Sequence, residues 1–280
     1  MELSGKVAFV TGASQGLGRA YSLALAKAGA TVVASARSMG EPKPGEEAGK
    51  FTLARTLCLA AEEKLPVHAA ICDVGVEEQV NSAISDTVAK FGRLDILVNN
   101  AATYPGHFSP EFGDAFAWTK EVWQRYFEIN TIGPYFTIRA AAPHMKAQNS
   151  GSIINISSAA SYRDDAAHDN LLGYGVSKAA LNRLSVFFAS ELAPWGVAVN
   201  AVCPGTVITG AWDSVPADQV EAARNSGFAT EATPEAVGPY IVHLATRTAE
   251  TLSGQYVEAR YYPDWPKGRT QVVVPELHAD

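Results

Sequence analysis

The first β-branched run of the chain, KVAFVT (6–11), breaks into a glycine-rich turn, TGASQGLG (11–18), which opens directly into a helical stretch over 17–28. This strand, glycine turn and helix begin an alternation that runs through the chain. Further strand-like runs lie at 31–36, 67–72, 94–99, 152–157, 197–203 and 255–259, and helix-period stretches lie at 52–64, 77–91, 118–130, 133–147, 174–193 and 234–247. Most of the strand runs are nearly continuous in apolar character, as strands covered on both faces must be. The expectation is an α/β fold: a doubly wound, seven-stranded parallel sheet in Rossmann order with helices on both faces. No internal repeat or linker divides the sequence, so 1–280 reads as a single domain with 260–280 as a C-terminal extension.

The turn carries the first chemistry. Gly12, Gly16 and Gly18 follow a GxxxGxG spacing. Glycine permits dihedrals closed to other residues and lets a diphosphate approach the backbone, while the free N–H groups at the helix start hold the anion. Tight strand-to-helix turns use glycine anyway, so the spacing alone is weak. Its place after the first strand of an α/β alternation points to dinucleotide binding by Gly12, Ser14, Gln15, Gly16, Leu17 and Gly18.

About 20 residues beyond such a turn lies the group that meets the adenosine ribose. This chain has Ala36 and Arg37 there. Without an acid to take a free 2′-hydroxyl, and with a guanidinium suited to a 2′-phosphate, the pair favours NADP(H) over NAD(H). The alternative is that Arg37 merely caps a strand end in water. Asp73, followed by Val74, is placed to meet the adenine edge or simply to start a turn; Asn100 and Ala101, in NNAA (99–102), offer an amide and a small side chain beside the cofactor.

Charge narrows the partners. Lys and Arg number 22 against 29 Asp and Glu, a net charge of −7, which argues against a nucleic-acid or anionic-membrane surface. Cys58, Cys72 and Cys203 are widely spaced, without a CxxC pair, so a disulfide framework is not expected and a reducing compartment is. No run reaches the roughly 18 apolar residues of a membrane span, and MELSGKVAFVTG lacks the basic start of a signal peptide. The expectation is a cytoplasmic protein.

The stretch GYGVSKAALNRL (173–184) puts Tyr174 and Lys178 one helical turn apart on the same face. A free tyrosine ionises near pH 10, too high for a base at neutral pH, and a neighbouring ammonium favours the phenolate. A tyrosine so tuned exchanges a proton with an alcohol oxygen. Tyr and Lys are also an ordinary helix pair. What tips the balance is the company they keep. TGASQGLG (11–18), DV (73–74), NNAA (99–102), Asn130 in EINTIG, NISS (155–158), YGVSK (174–178) and PGTVIT (204–209) occur in order over nearly the whole chain up to about residue 259, and together they resemble the short-chain dehydrogenase/reductase superfamily in its simple single-domain subclass.

That resemblance implies an oxidoreductase that transfers a hydride between NADP(H) and a secondary alcohol or a ketone or aldehyde. Tyr174 and Lys178 would act in proton transfer and cofactor binding, Ser158 would steady the substrate oxygen in preference to Ser157 or Ser161, and Asn130 would hold a water linked to Lys178. Pro204, Gly205, Val207 and Thr209 would wrap the nicotinamide. It implies a homotetramer, or failing that a dimer, packed through helices near 118–147 and 174–193. Three departures bear on the substrate rather than the reaction: Ala102 ends NNAA, the Ser158-to-Tyr174 gap is long, and EARYYPDWPKG replaces a glycine-rich close.

Other features are weaker. Six histidines show no metal-ligand spacing and DDAAHD (164–169) reads as a solvated acidic loop, so no metal is expected. Trp118, Trp212, Phe228 and Tyr162 are candidates for pocket walls or for core. The stretch 207–230 interrupts the alternation like a lid, and the tail 260–280 is placed to cover a neighbouring pocket. The rivals are an NAD-dependent relative, a non-catalytic dinucleotide sensor, and an epimerase.

Overall fold

The computed structural model describes residues 1–40, 52–104, 116–162, 171–209, 212, 216–226 and 229–264. The first half comprises β1 (Val7–Val10), α1 (Gly16–Lys27), β2 (Thr31–Ala36), α2 (Leu53–Glu62), β3 (Val67–Ile71), α3 (Glu77–Phe91), β4 (Ile96–Asn99) and α4 (Lys120–Phe127). A π-helical turn, Glu128–Ile132, leads into α5 (Gly133–Gln148), β5 (Gly151–Ile156), α6 (Leu172–Leu192) and β6 (Val197–Cys203). After these come β7 (Val207–Ile208), α7 (Ala217–Asn225), β8 (Thr230–Glu231), α8 (Pro234–Ala245) and β9 (Tyr256–Glu258).

Seven strands form one parallel sheet in the order β3-β2-β1-β4-β5-β6-β9. The order reverses between β1 and β4, which opens a crevice at their carboxyl ends, where doubly wound sheets bind ligands. The expected architecture is what forms. The stretch 207–230 differs in its described residues: β7 and β8 pair in parallel as a separate small sheet with α7 between them.

The alternation of side chains explains why the central strands are apolar throughout. Ala8 and Val10 of β1, Ile96 and Val98 of β4, and Ile154 and Ile156 of β5 pack with Tyr21, Leu25, Ile241 and Leu244 from α1 and α8. Phe9, Leu97 and Ile153 point the other way, onto Ile84, Ile138, Met145 and Leu192 of α3, α5 and α6. Each large side chain so buried contributes about 1.5–3 kcal/mol. The edge strand β3 is half exposed instead.

Beneath the crevice the strand ends are tied by buried polar groups. Asn99 Nδ2 donates to Asn155 Oδ1 (2.8 Å), Asn155 Nδ2 donates to Ser185 Oγ (2.8 Å), and Thr137 Oγ1 donates to Asn99 Oδ1 (2.6 Å). Fully paired networks of this kind fix a local geometry. Here they lock β4 and β5 to α5 and α6 directly under the site.

Candidate active site

The glycine turn builds a cradle that a side chain would fill. Gly12 has φ +65°, and a Cβ there would lie 2.7 Å from Ala101 Cα. A Cβ on Gly18 would come within 2.2 Å of the Gly12 carbonyl oxygen and 2.5 Å of Asn100 Nδ2. Both positions therefore demand glycine. Helix α1 starts at Gly16 after an extended Gln15, with no side-chain cap and no acid in its first turn. Its positive end is left uncompensated toward the cleft, a setting that suits a diphosphate. Ser14, Gln15, Gly16 and Leu17 line that cleft with Gly12 and Gly18. The donor set and the space where Cβ atoms are missing fit a dinucleotide.

The other walls come from three strand ends. Ala36 and an exposed Arg37 stand at the end of β2. Asp73 and Val74 follow β3; Asp73 Oδ1 accepts from the Gly75 N–H (3.0 Å), so the residue starts a turn and faces the cleft as well. Asn100 and Ala101 follow β4, and their groups are largely spent on the cradle itself. Asn100 Nδ2 donates to the carbonyls of Thr11 (3.0 Å) and Gly12 (3.1 Å), and the Asn100 and Ala101 N–H groups both donate to Thr11 Oγ1 at 3.0 Å. Thr209 closes the cleft beside Gly16. Pro204 and Gly205 lie between β6 and the small sheet and Val207 opens β7 within it, all three apart from the lining of this cleft.

The catalytic candidates gather at the ends of β4 and β5. Tyr174, in the first turn of α6, is half-buried and lies edge-on to Tyr104, with ring centroids 5.2 Å apart at 81°. The Ser158 side chain stands close enough to its phenol to pull the pKa of the phenol down. Ser158 caps a short 3₁₀ turn, accepting from the Ala160 N–H at 3.2 Å. Ser161 is turned away, donating to the Ser158 carbonyl and accepting from Asn182 Nδ2, and Ser157 is buried beside it. Of the three serines, Ser158 is the one whose side chain acts on the Tyr174 phenol.

Lys178 is 2% exposed. Its Nζ donates to the Ile156 carbonyl at 2.7 Å and lies 5.8 Å from the centroid of the Tyr174 ring. Burial lowers its pKa to about 7. Burial also raises the pKa of Tyr174, with the Ser158 side chain opposing in the other direction. Burial is the largest influence on the Tyr174 phenol and pushes its pKa up, opposite to the depression expected from the spacing of the lysine.

Asn130 sits inside the π-helical turn and is fully buried. Its Oδ1 accepts from the Thr103 N–H (2.7 Å), while Nδ2 donates to the Thr103 carbonyl and to Ser177 Oγ, both at 3.0 Å. The amide is a clamp between the chain after β4 and α6. Among the described residues no hydrogen bond joins it to Lys178. Because Thr103 also lines the glycine cleft, this clamp links the cradle to the Tyr174 group.

Trp118 lies flat against α6 where Gly173 leaves room, since a Cβ there would meet its ring at 2.0 Å. It packs on Tyr126 (5.0 Å) and Trp123 (5.5 Å). Tyr162 stacks edge-on with Tyr256, and Trp212 follows Thr209. Tyr104, Tyr126 and Tyr256 escaped the sequence reading. Tyr104 lies just beyond the NNAA turn, but nothing in its neighbours marks the ring as a partner of Tyr174. Phe228, the DDAAHD loop and residues 265–280 of the tail lie outside the described residues. Cys72 and Cys203 are buried, and all three cysteines are unpaired, in keeping with their spacing.

Sheet order, crevice and cradle define a doubly wound dinucleotide-binding fold. The profile of the short chain dehydrogenases matches residues 6–220. An uncharacterized oxidoreductase of Methylorubrum extorquens is 33% identical over 92% of this chain and 97% of its own length. A cyclohexanol dehydrogenase of a Rhodococcus species is 35% identical over 75% of this chain and 77% of its own. Among solved structures, a 7α-hydroxysteroid dehydrogenase complexed with NADH and 7-oxo glycochenodeoxycholic acid superposes with a TM-score of 0.74 at 25% identity, covering 91% of this chain and 93% of that one. The chain belongs to the short-chain dehydrogenase/reductase family, whose members are oxidoreductases that bind NAD(P)(H) and act on small molecules.

Proposed function

We propose that the protein is an NADP(H)-dependent alcohol dehydrogenase or carbonyl reductase. The observation that carries this reading is the Ser158–Tyr174–Lys178 group at the strand ends next to the glycine cradle. The cofactor, when bound, supplies or takes the hydride at its nicotinamide ring. Gly12, Ser14, Gln15, Gly16, Leu17 and Gly18 hold its diphosphate, Asp73 and Val74 flank the adenine, and Asn100 and Ala101 back the ribose. Pro204, Gly205, Val207 and Thr209 wrap the nicotinamide end. Arg37, exposed and lining the cleft, pairs with a 2′-phosphate, and the strand end before it carries Ala36 rather than an acid.

Tyr174 is the proton donor in reduction and acceptor in oxidation. Its raised pKa keeps the phenol protonated, the state a donor needs. Ser158 donates to the substrate oxygen as charge grows there. Lys178 supports the phenolate once Tyr174 has given up its proton, and Asn130 holds the relay water that the family resemblance implies. A secondary alcohol or ketone is the substrate class, with cyclohexanol and cyclohexanone the first to try because a relative bears that activity in its name.

As an assembly we infer a homotetramer of single-domain chains. Phe187, Val186 and Val176 on α6, and Tyr135 on α5, present large apolar groups to solvent, which marks an interface. Three unpaired cysteines support a cytoplasmic setting, and among the described residues no helix is long and apolar enough to cross a membrane.

A thermal-shift comparison followed by a carbonyl panel tests the proposal. NADPH should raise the melting temperature more than NADH at equal concentration, and cyclohexanone or another ketone of the panel should then oxidise NADPH. Cofactor binding with no turnover across the panel would favour the sensor instead, and a larger shift with NADH would reverse the cofactor assignment.

A further inference from the structure

The last strand of the sheet, β9, reaches the site through its first residue. The Tyr256 hydroxyl donates to the Ser158 carbonyl at 3.3 Å, across 98 positions of sequence. The same carbonyl accepts from the Ser161 N–H (3.1 Å) and the Ser161 hydroxyl (2.6 Å). Those two bonds are local to the turn, whereas the Tyr256 bond ties the turn to the sheet.

Tyr256 is itself held. Its ring meets Tyr162 edge-on at 4.8 Å and 60°, with the two phenols close enough for each to act on the other. The Glu258 carboxylate, which Arg260 Nε grips at 2.6 Å, also acts on the Tyr162 phenol. The Cys203 thiol at the end of β6 acts on the Tyr256 phenol. The chain ends of β6 and β9 and the Ser158 turn therefore converge on one phenol.

Resting on the function proposed above, we infer that Tyr256 is a positioning residue: braced by Tyr162 and Glu258, it fixes the turn that sets the Ser158 hydroxyl against the Tyr174 phenol. The argument is geometric. Ser158 leaves the sheet in extended conformation, φ −155° and ψ 153°, so its hydroxyl and carbonyl share a short rigid segment. Holding the carbonyl from below fixes the hydroxyl above, and catalytic groups tolerate only about 0.5 Å of play. The Ser158 side chain also opposes the upward push of burial on Tyr174; the other titratable groups that face the phenol are Tyr104, Tyr126, Cys203 and Lys178. Loosening Ser158 leaves that push less opposed.

The test is Tyr256→Phe, which keeps the ring and removes the donor, with Tyr162→Phe as a second variant that loosens the brace without touching Ser158. With cyclohexanone and NADPH, Tyr256→Phe should lower kcat about tenfold at nearly unchanged KM, and should move the pH limb of kcat assigned to Tyr174 upward. Tyr162→Phe should do the same more weakly. In isotope-labelled tyrosine NMR, the Tyr174 signal, assigned by its loss in Tyr174→Phe, should shift in both variants whichever substrate the enzyme takes. An unmoved Tyr174 signal, or an unmoved pH limb with unchanged kcat, overturns the positioning role. An active Tyr174→Phe enzyme would instead overturn the function proposed above, and that outcome is separate from either variant's behaviour.

Discussion

Lys178 is the residue where the physics is most exposed. A buried ammonium is costly, and its pKa falls from an ordinary 10.5 to about 7. Between those values the unfolded chain holds a proton that the folded chain has released, so folding stability rises with pH across that window. The contribution is fully present above the unfolded pKa and lost as pH falls through about 7. It is on the order of a few kcal/mol. Tyr174, raised instead, erodes stability above its ordinary value of about 10, so the effect of the lysine is read below that point. Cofactor-free protein should therefore become harder to unfold with urea from neutral pH upward, and Lys178→Met should flatten the rise. Parallel curves for the two proteins would show that the amine is not desolvated. The spacing of Tyr174 and Lys178 was legible in the sequence; the depth of their burial, which reverses the expected shift of the phenol, was not, because depth is set by elements far away in the chain.

At the scale of elements, what carried a period was legible. The strand runs 31–36 and 197–203 coincide with β2 and β6, and 77–91 coincides with α3, because each buries a face or stripe that leaves a pattern. The stretch 207–230 left none. β7 and β8 are two residues each, too short for alternation, and α7 buries no residue, so ADQVEAARN has no apolar stripe to betray it. The π-helical turn around Asn130 was also hidden: a one-residue insertion in a helical ladder changes hydrogen bonding rather than composition. Of the site, the cradle and the Ser158–Tyr174–Lys178 set were legible through their motifs. The clamp of Asn130 on Thr103 and the tie from Tyr256 to Ser158 were not, since each joins segments that only the folded sheet brings together.

For the whole molecule, the exposed aromatic face of α5 and α6 is the feature a lone chain does not explain. Phe187 is 59% exposed and touches Phe188, which packs in turn on Tyr135. Phe187→Asp should split the proposed tetramer into smaller species by light scattering, with the fold retained by circular dichroism. A wild-type chain already monomeric in solution would contradict the assembly. The account as a whole depends on one phenol that exchanges a proton while a bound nicotinamide exchanges a hydride. Rapid-mixing measurement of NADPH oxidation by cyclohexanone in Tyr174→Phe tests it most directly. The account predicts a rate lower by about 10²–10⁴-fold with NADPH affinity nearly intact; hydride transfer at close to the wild-type rate would contradict it.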